Sequence, residues 1–228
     1  MLSRVSRLIE LSELRNGLEA RLAEKTKEVE LVTLNSIMAI ANTLDAKDVY
    51  TSGHSNRVAR ISVEIATRIG MDADAVKDLK FMALLHDIGK IGVPDMILNK
   101  PQPLTDDEFA VIKRHPTIGG DILKSITTIP NLHHGALYHH ERVDGRGYPG
   151  GLKGEEIPLE ARIIAVADSY DAMASNRAYR QALSNERIME ELEKSKGKQL
   201  DLEITEIFIK MLQEGFSLAD NGGAVWEN

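Results

Sequence analysis

Between Glu141 and Pro158 the chain carries five glycines and two prolines. No regular helix survives that density, because glycine loses the most backbone entropy on ordering and proline lacks the donor a helix interior needs. Nearly everywhere else, apolar residues recur three and four apart. The pattern predicts helices over roughly 35–46, 53–69, 73–87, 105–115, 117–126, 131–140, 158–175, 184–195 and 202–214. The expected fold is therefore all-α, a helical bundle with one long glycine-rich loop placed directly after His139-His140. Long irregular loops in compact domains are commonly functional. The punctuation agrees. Thr105 with Glu108 reads as a capping box, Gly70 and Gly89 sit where helices stop, and Pro101 and Pro103 mark a loop.

Residues 1–34 place Leu8, Leu11, Leu14, Leu18 and Leu22 at helical spacing with charges between them. This reads as an amphipathic helix with two outcomes. It either packs on its own domain or pairs with a second copy as a parallel coiled coil. Gly17 and Lys25 interrupt the pattern. The expected organisation is a linker helix over 1–34, a main domain over 35–217 and a short tail over 218–228.

The 228 residues include no cysteine, which excludes disulfides and thiolate metal sites. A cytoplasmic location fits. A formal net charge of −7 disfavours binding to a nucleic-acid duplex, which calls for a basic surface. A phosphate substrate would need local positive charge from metal ions or a few aimed side chains. No apolar run reaches the roughly 18 residues needed to span a bilayer, and the first residues read as neither signal peptide nor anchor.

The chemistry is concentrated in His54, His86-Asp87, His115, His139-His140 and Asp168. Histidine and aspartate together suit Fe, Mn, Ni or Zn. Taken singly, each histidine is more often structural. His86-Asp87 differs, because it follows the apolar run FMALL, and an ionisable pair at the end of a buried helix needs a partner or a metal to offset desolvation. The break at Gly89 would let neighbouring side chains converge.

HDIGKIGVPD (86–95) and HHERVDGRGYPGGL (139–152) resemble the two signature stretches of the HD-GYP family, a branch of the HD phosphohydrolase superfamily. YTSGHSNRVARIS (50–62), RHPTIGGDIL (114–123) and AVADSYDAMASNRAYR (165–180) resemble its other site helices, in family order. The resemblance covers roughly residues 35–215. It implies the HD-domain bundle with extra helices and a metal-dependent phosphodiesterase converting cyclic di-GMP to pGpG, with GMP as a further product. The alternative is a catalytically weak signalling module that binds cyclic dinucleotides or partner proteins, such as GGDEF-type proteins, through the GYP loop. Another HD phosphohydrolase substrate, a mixed cyclic dinucleotide or a dNTP, is the third reading.

The resemblance also implies a ligand set. His54, His86, Asp87 and Asp168 would hold one divalent ion, and His115, His139 and His140 a second, with Asp87 bridging. Fe or Mn is expected, with Ni, Zn or Mg as alternatives. Ions so held lie about 3.5–4 Å apart, and their bridging hydroxide would attack phosphorus. Lys90 would contact the scissile phosphate, and Arg177 and Arg180 substrate phosphate or guanine. Tyr148 offers a base a stacking face, or else fixes the loop. Asp171 lies near the Asp168 face and would touch substrate, orient a ligand or form a surface salt bridge. Glu141 and Asp144 are expected to organise the loop, through bonds to His139 or His140 and a turn at Asp144-Gly145. Some family members hold a third metal through a glutamate where Tyr50 stands here, so two metals and the linear product are expected. His133 and His134 match no ligand position.

Overall fold

The computed structural model describes residues 2–48, 53–175 and 181–217. Two compact units emerge, Met1–Ala39 and Ile40–Asn228. The expected all-α class is what the chain adopts, and among the described residues there is no strand.

The first helix, α1, is Leu2–Lys47. It passes unbroken through the 34/35 position where a domain boundary was expected. In the first unit Leu11, Leu14, Leu18 and Leu22 are each more than half exposed. The side chain of Leu8 lies outside the described set.

The second unit holds the last turns of α1, then α2 (His54–Arg68), α3 (Ala73–Leu84), a 3-10 turn (Ile88–Gly92), α4 (Asp95–Leu98) and α5 (Asp106–Ile112). It continues through α6 (His115–Leu123), α7 (His133–Tyr138), a second 3-10 turn (Gly154–Glu156), α8 (Leu159–Ala174), α9 (Asn185–Ser195) and α10 (Leu202–Gln213). No helix among the described residues is long and apolar enough to cross a membrane.

The core is made where α2 packs on α3 and α8. Ile61 and Ile65 of α2, Leu79 and Leu84 of α3, Ile163 and Ile164 of α8 and Phe208 of α10 are fully buried. Each contributes about 1.5–3 kcal/mol by leaving water. The α2 stripe is long enough that both its ends are fixed, and its first residue is His54.

Local signals set several ends. Asp72 caps α3 by accepting from Ala75 N at 2.9 Å. The Thr105–Glu108 capping box is formed in both directions. Gly70 follows α2 with φ 81°, the left-handed conformation expected of a helix stop. Gly89 has another role. The helix expected to reach 87 ends at Leu84, so His86 and Asp87 lie on the turn that follows. Gly89 instead lets the 3-10 turn press onto α6, where a Cβ would sit 1.9 Å from the His115 carbonyl oxygen and 2.5 Å from Gly119 N.

Candidate metal centre

Five separate segments deliver the site. His54 opens α2, His86 and Asp87 lie between α3 and the 3-10 turn, and His115 opens α6. His139 and His140 follow α7, and Asp168 rides on α8. The sequence places His115 at the end of the helix over 105–115 and His139-His140 at the end of the one over 131–140. In the structure His115 instead opens the next helix, and α7 stops at Tyr138, so His139 and His140 lie on the turn just past it.

Three histidines are oriented by the same device. The Nδ1–H of His86 donates to Ala83 O at 2.7 Å, that of His115 to Ile112 O at 2.8 Å, and that of His139 to Gly135 O at 2.9 Å. Each ring is thereby held with its unprotonated Nε2 facing inward. His54 is oriented by a side chain instead, its Nδ1 lying 2.7 Å from Asp171 Oδ2.

Asp87 sits between the rings. Its Oδ1 lies 3.3 Å from His115 Nε2 and 3.7 Å from His139 Nε2. Its Oδ2 lies 3.6 Å from His86 Nε2 and 3.8 Å from His54 Nε2. One carboxylate thus offers one oxygen to each of two clusters. His54, His86 and Asp87 form one ligand group, and His115, His139 and His140 the other, the ligand atoms within each lying within 4.8 Å of one another. Asp168 Oδ1 stands 3.3 Å from His54 Nε2 and borders the first group.

These residues fit cations. The Nε2 of His86 is buried with no hydrogen-bond partner, an arrangement whose desolvation cost a metal bond removes. The Nε2 atoms of His115 and His139 face each other at 3.3 Å, both with lone pairs inward, and a cation between them relieves that repulsion. Burial, reinforced by the neighbouring His86 and His115, pushes His139 down to about 3, and burial beside His139 and His115 also lowers His140. Both rings are therefore neutral at pH 7, the form that binds metal.

Burial alone would raise the Asp87 carboxyl, but Lys90, His86 and His115 outweigh it and hold the group well below its ordinary range. Lys90 Nζ lies 2.6 Å from Asp87 Oδ2 and 3.1 Å from Asp48 Oδ2. Burial works against its charge, yet Asp87 and Asp48 raise its pKa, so the ammonium persists at the site.

The GYP loop closes one side. The Tyr148 ring stacks on His140 at 4.9 Å and 30°. Glu141 organises the loop as expected, but through other bonds. Its buried carboxylate accepts from the backbone N–H of Gly150, Gly151 and Leu152 at 2.5, 3.1 and 3.1 Å rather than from His139 or His140. Those amides lie close enough to satisfy it, while the Nδ1–H of His139 is taken by Gly135 O and Ala136 O. The Asp144-Gly145 turn is present, with Gly145 N donating to Arg142 O at 2.8 Å. A cavity of about 480 Å³ opens beside His139, His140 and Asp168, with Tyr148, Arg142 and Gln199 on its walls. A larger hollow of about 790 Å³ beside α4 and α5 gathers no histidine.

Asp171 is buried against His54 and Arg57, whose Nε lies 2.6 Å from its Oδ1. That is the geometry of a residue positioning His54, not of the substrate contact or surface salt bridge also expected there. Arg177, Arg180 and Tyr50 lie outside the described residues. His133 packs on His134 and His134 on Tyr138, and neither histidine belongs to either ligand group. Sequence reasoning missed Lys47, Asp48 and Arg57. Arg57 had a signal, since it stands one turn after His54 on a face that meets Asp168 and Asp171. Lys47 and Asp48 had none.

Comparison with known proteins places this geometry in a family. The HD domain model matches residues 24–204. A cyclic di-GMP phosphodiesterase of Thermotoga maritima is 46% identical over 202 residues, covering 85% of this chain and 54% of that protein. A 3'3'-cGAMP-specific phosphodiesterase of Vibrio cholerae is 36% identical, covering 80% of this chain and 42% of that protein. The chain thus spans about half the length of these curated relatives or less. The crystal structure of a V. cholerae cyclic GMP-AMP phosphodiesterase shares the fold, with a TM-score of 0.60 at 19% identity over 78% of this chain and 48% of that one. With both signature stretches gathered at one site, the chain belongs to the HD-domain family, in its HD-GYP branch.

Proposed function

We propose that the chain is a metal-dependent phosphodiesterase that opens cyclic di-GMP to linear pGpG. The observation that carries this reading is Asp87, whose two carboxylate oxygens each face a different histidine group. His54, His86, Asp87 and Asp168 would hold one divalent ion, and His115, His139 and His140, with Asp87 shared, the other. Such ions, Fe or Mn by preference, would generate a hydroxide nucleophile near neutral pH and neutralise charge on the phosphate.

The chain's own residues complete the chemistry. Lys90 sets a buried ammonium at the edge of the ligand groups, where negative charge grows on the phosphate oxygens during attack. Tyr148, stacked on His140, gives the cavity an aromatic wall for a purine base. Arg177 and Arg180 would meet substrate phosphate or guanine. Relatives named for cyclic di-GMP and for cGAMP support the cyclic dinucleotide class. With Tyr50 where a third-metal glutamate would stand, pGpG is the expected end product.

The test is direct. Protein loaded anaerobically with Mn or Fe(II) is incubated with cyclic di-GMP, 3'3'-cGAMP or cyclic di-AMP, and the products are separated. Accumulating pGpG supports the reading. Tight binding without turnover of any of the three would make the chain a binding module instead.

A further inference from the structure

The last turn of α1, which belongs to the second unit, grips the turn that carries Lys90. Lys47 Nζ donates to three main-chain carbonyls, those of Lys90, Ile91 and Val93, at 3.0, 2.9 and 2.8 Å. Asp95 Oδ1 adds a carboxylate at 3.5 Å. The Lys90 carbonyl already accepts from Val93 N at 3.0 Å, but each carbonyl oxygen has two lone pairs, and those at the end of a short helix carry partial negative charge, so one ammonium can bind several of them. The backbone of Lys47 is tied in turn, its own carbonyl accepting from Asn99 Nδ2 at 3.0 Å. Beside it, Asp48 Oδ2 holds the Lys90 ammonium at 3.1 Å.

We propose that Lys47 and Asp48 are positioning residues for Lys90, Lys47 through the backbone of its turn and Asp48 through its ammonium, so that the end of α1 sets where the charge meets the phosphate. The proposal rests on the phosphodiesterase reading. Lys90 is also drawn to Asp87, a residue the ligand groups need. With Asp87 engaged there, Asp48 supplies the carboxylate that keeps the ammonium at the rim. A displacement of the end of α1 would move both holds together.

Substitution of Asp48 and Lys90 separately and together tests this. If Asp48 acts through Lys90, Asp48→Asn lowers kcat by about tenfold with KM changed less, since the loss falls on the transition state. The Asp48→Asn, Lys90→Met double variant is then no slower than Lys90→Met alone, because the shared effect is counted once. Lys47→Met lowers kcat similarly at full metal content, while Lys47→Arg retains activity. Additive losses in the double variant, or wild-type kcat in both Lys47→Met and Asp48→Asn, would overturn the proposal. Amide exchange over residues 88–93 provides a readout independent of activity. It quickens in Lys47→Met if the clamp is real, and unchanged protection would overturn it. Were the wild-type protein to cleave no cyclic dinucleotide, the function would fall, and the exchange result would still decide the clamp.

Discussion

The Nδ1 of His54 and the Oδ2 of Asp171 lie 2.7 Å apart, and this bond aims the opposite ring nitrogen at Asp87 and Asp168. Arg57 braces the same carboxylate with its Nε at 2.6 Å and its Nη2 at 3.1 Å. Burial would raise the Asp171 carboxyl, but its hydrogen bonds to His54 and Arg57 hold it down, and burial would lower His54, but the bond to Asp171, helped by Asp168 and Asp87, raises it. An Asp171→Asn substitution replaces an ionic acceptor by an amide that must turn a donor toward Arg57. Metal affinity should fall about 10–100-fold, the usual loss when a ligand's supporting group is removed. Titration calorimetry with Mn is the check, and unchanged affinity would remove Asp171 from this role.

Asp87 is the shared element, so its loss should disable both ligand groups. In His86→Ala or Asp87→Ala, kcat for cyclic di-GMP is expected to drop by about 10³-fold or more, since a metal supplies several kcal/mol of transition-state stabilisation. Circular dichroism should show the helices retained. Full turnover in either variant with metals still bound would exclude the site assigned here.

Acid should destabilise the metal-free protein through His139. Its folded pKa of about 3 lies below its ordinary 6.5. The unfolded chain therefore takes up that proton first, and stability falls as pH drops from about 6.5 towards about 3. His54, raised in the fold, works the other way and lends stability at low pH that is lost as pH rises through its folded value. Urea midpoints across this range should fall with acid in the wild type and fall less in His139→Asn. Parallel slopes would show that His139 does not carry the effect.

Two glycines should respond with opposite signs. An added methyl at Gly89 meets the His115 carbonyl oxygen at 1.9 Å, so Gly89→Ala is expected to cost about 3 kcal/mol or more and to weaken metal binding. Gly17 lies within α1, and a methyl added there has nothing within 4 Å, so Gly17→Ala should stabilise that helix by about 0.5–1 kcal/mol. Thermal melts followed by circular dichroism report both.

The helical class, the irregular stretch after His140 and the Thr105 capping box were legible because each depends on residues within a turn or two of one another. The candidate ligands were legible too, since His86-Asp87 after an apolar run and the His139-His140 pair before the GYP loop are local patterns. Which atoms face which depended on helix ends that periodicity places poorly. The apolar spacing through 73–87 continues past the point where α3 stops, and only packing of the 3-10 turn onto α6, made possible by Gly89, turns Asp87 toward His115. The bonds Lys47 makes to the Lys90 turn, and Asp171 to His54 and Arg57, join residues 43 to 117 positions apart. Spacing along the chain carries no record of such pairs. They exist because the buried faces of α2, α3 and α8 leave one arrangement of the core, and that arrangement fixes which distant polar groups must satisfy one another.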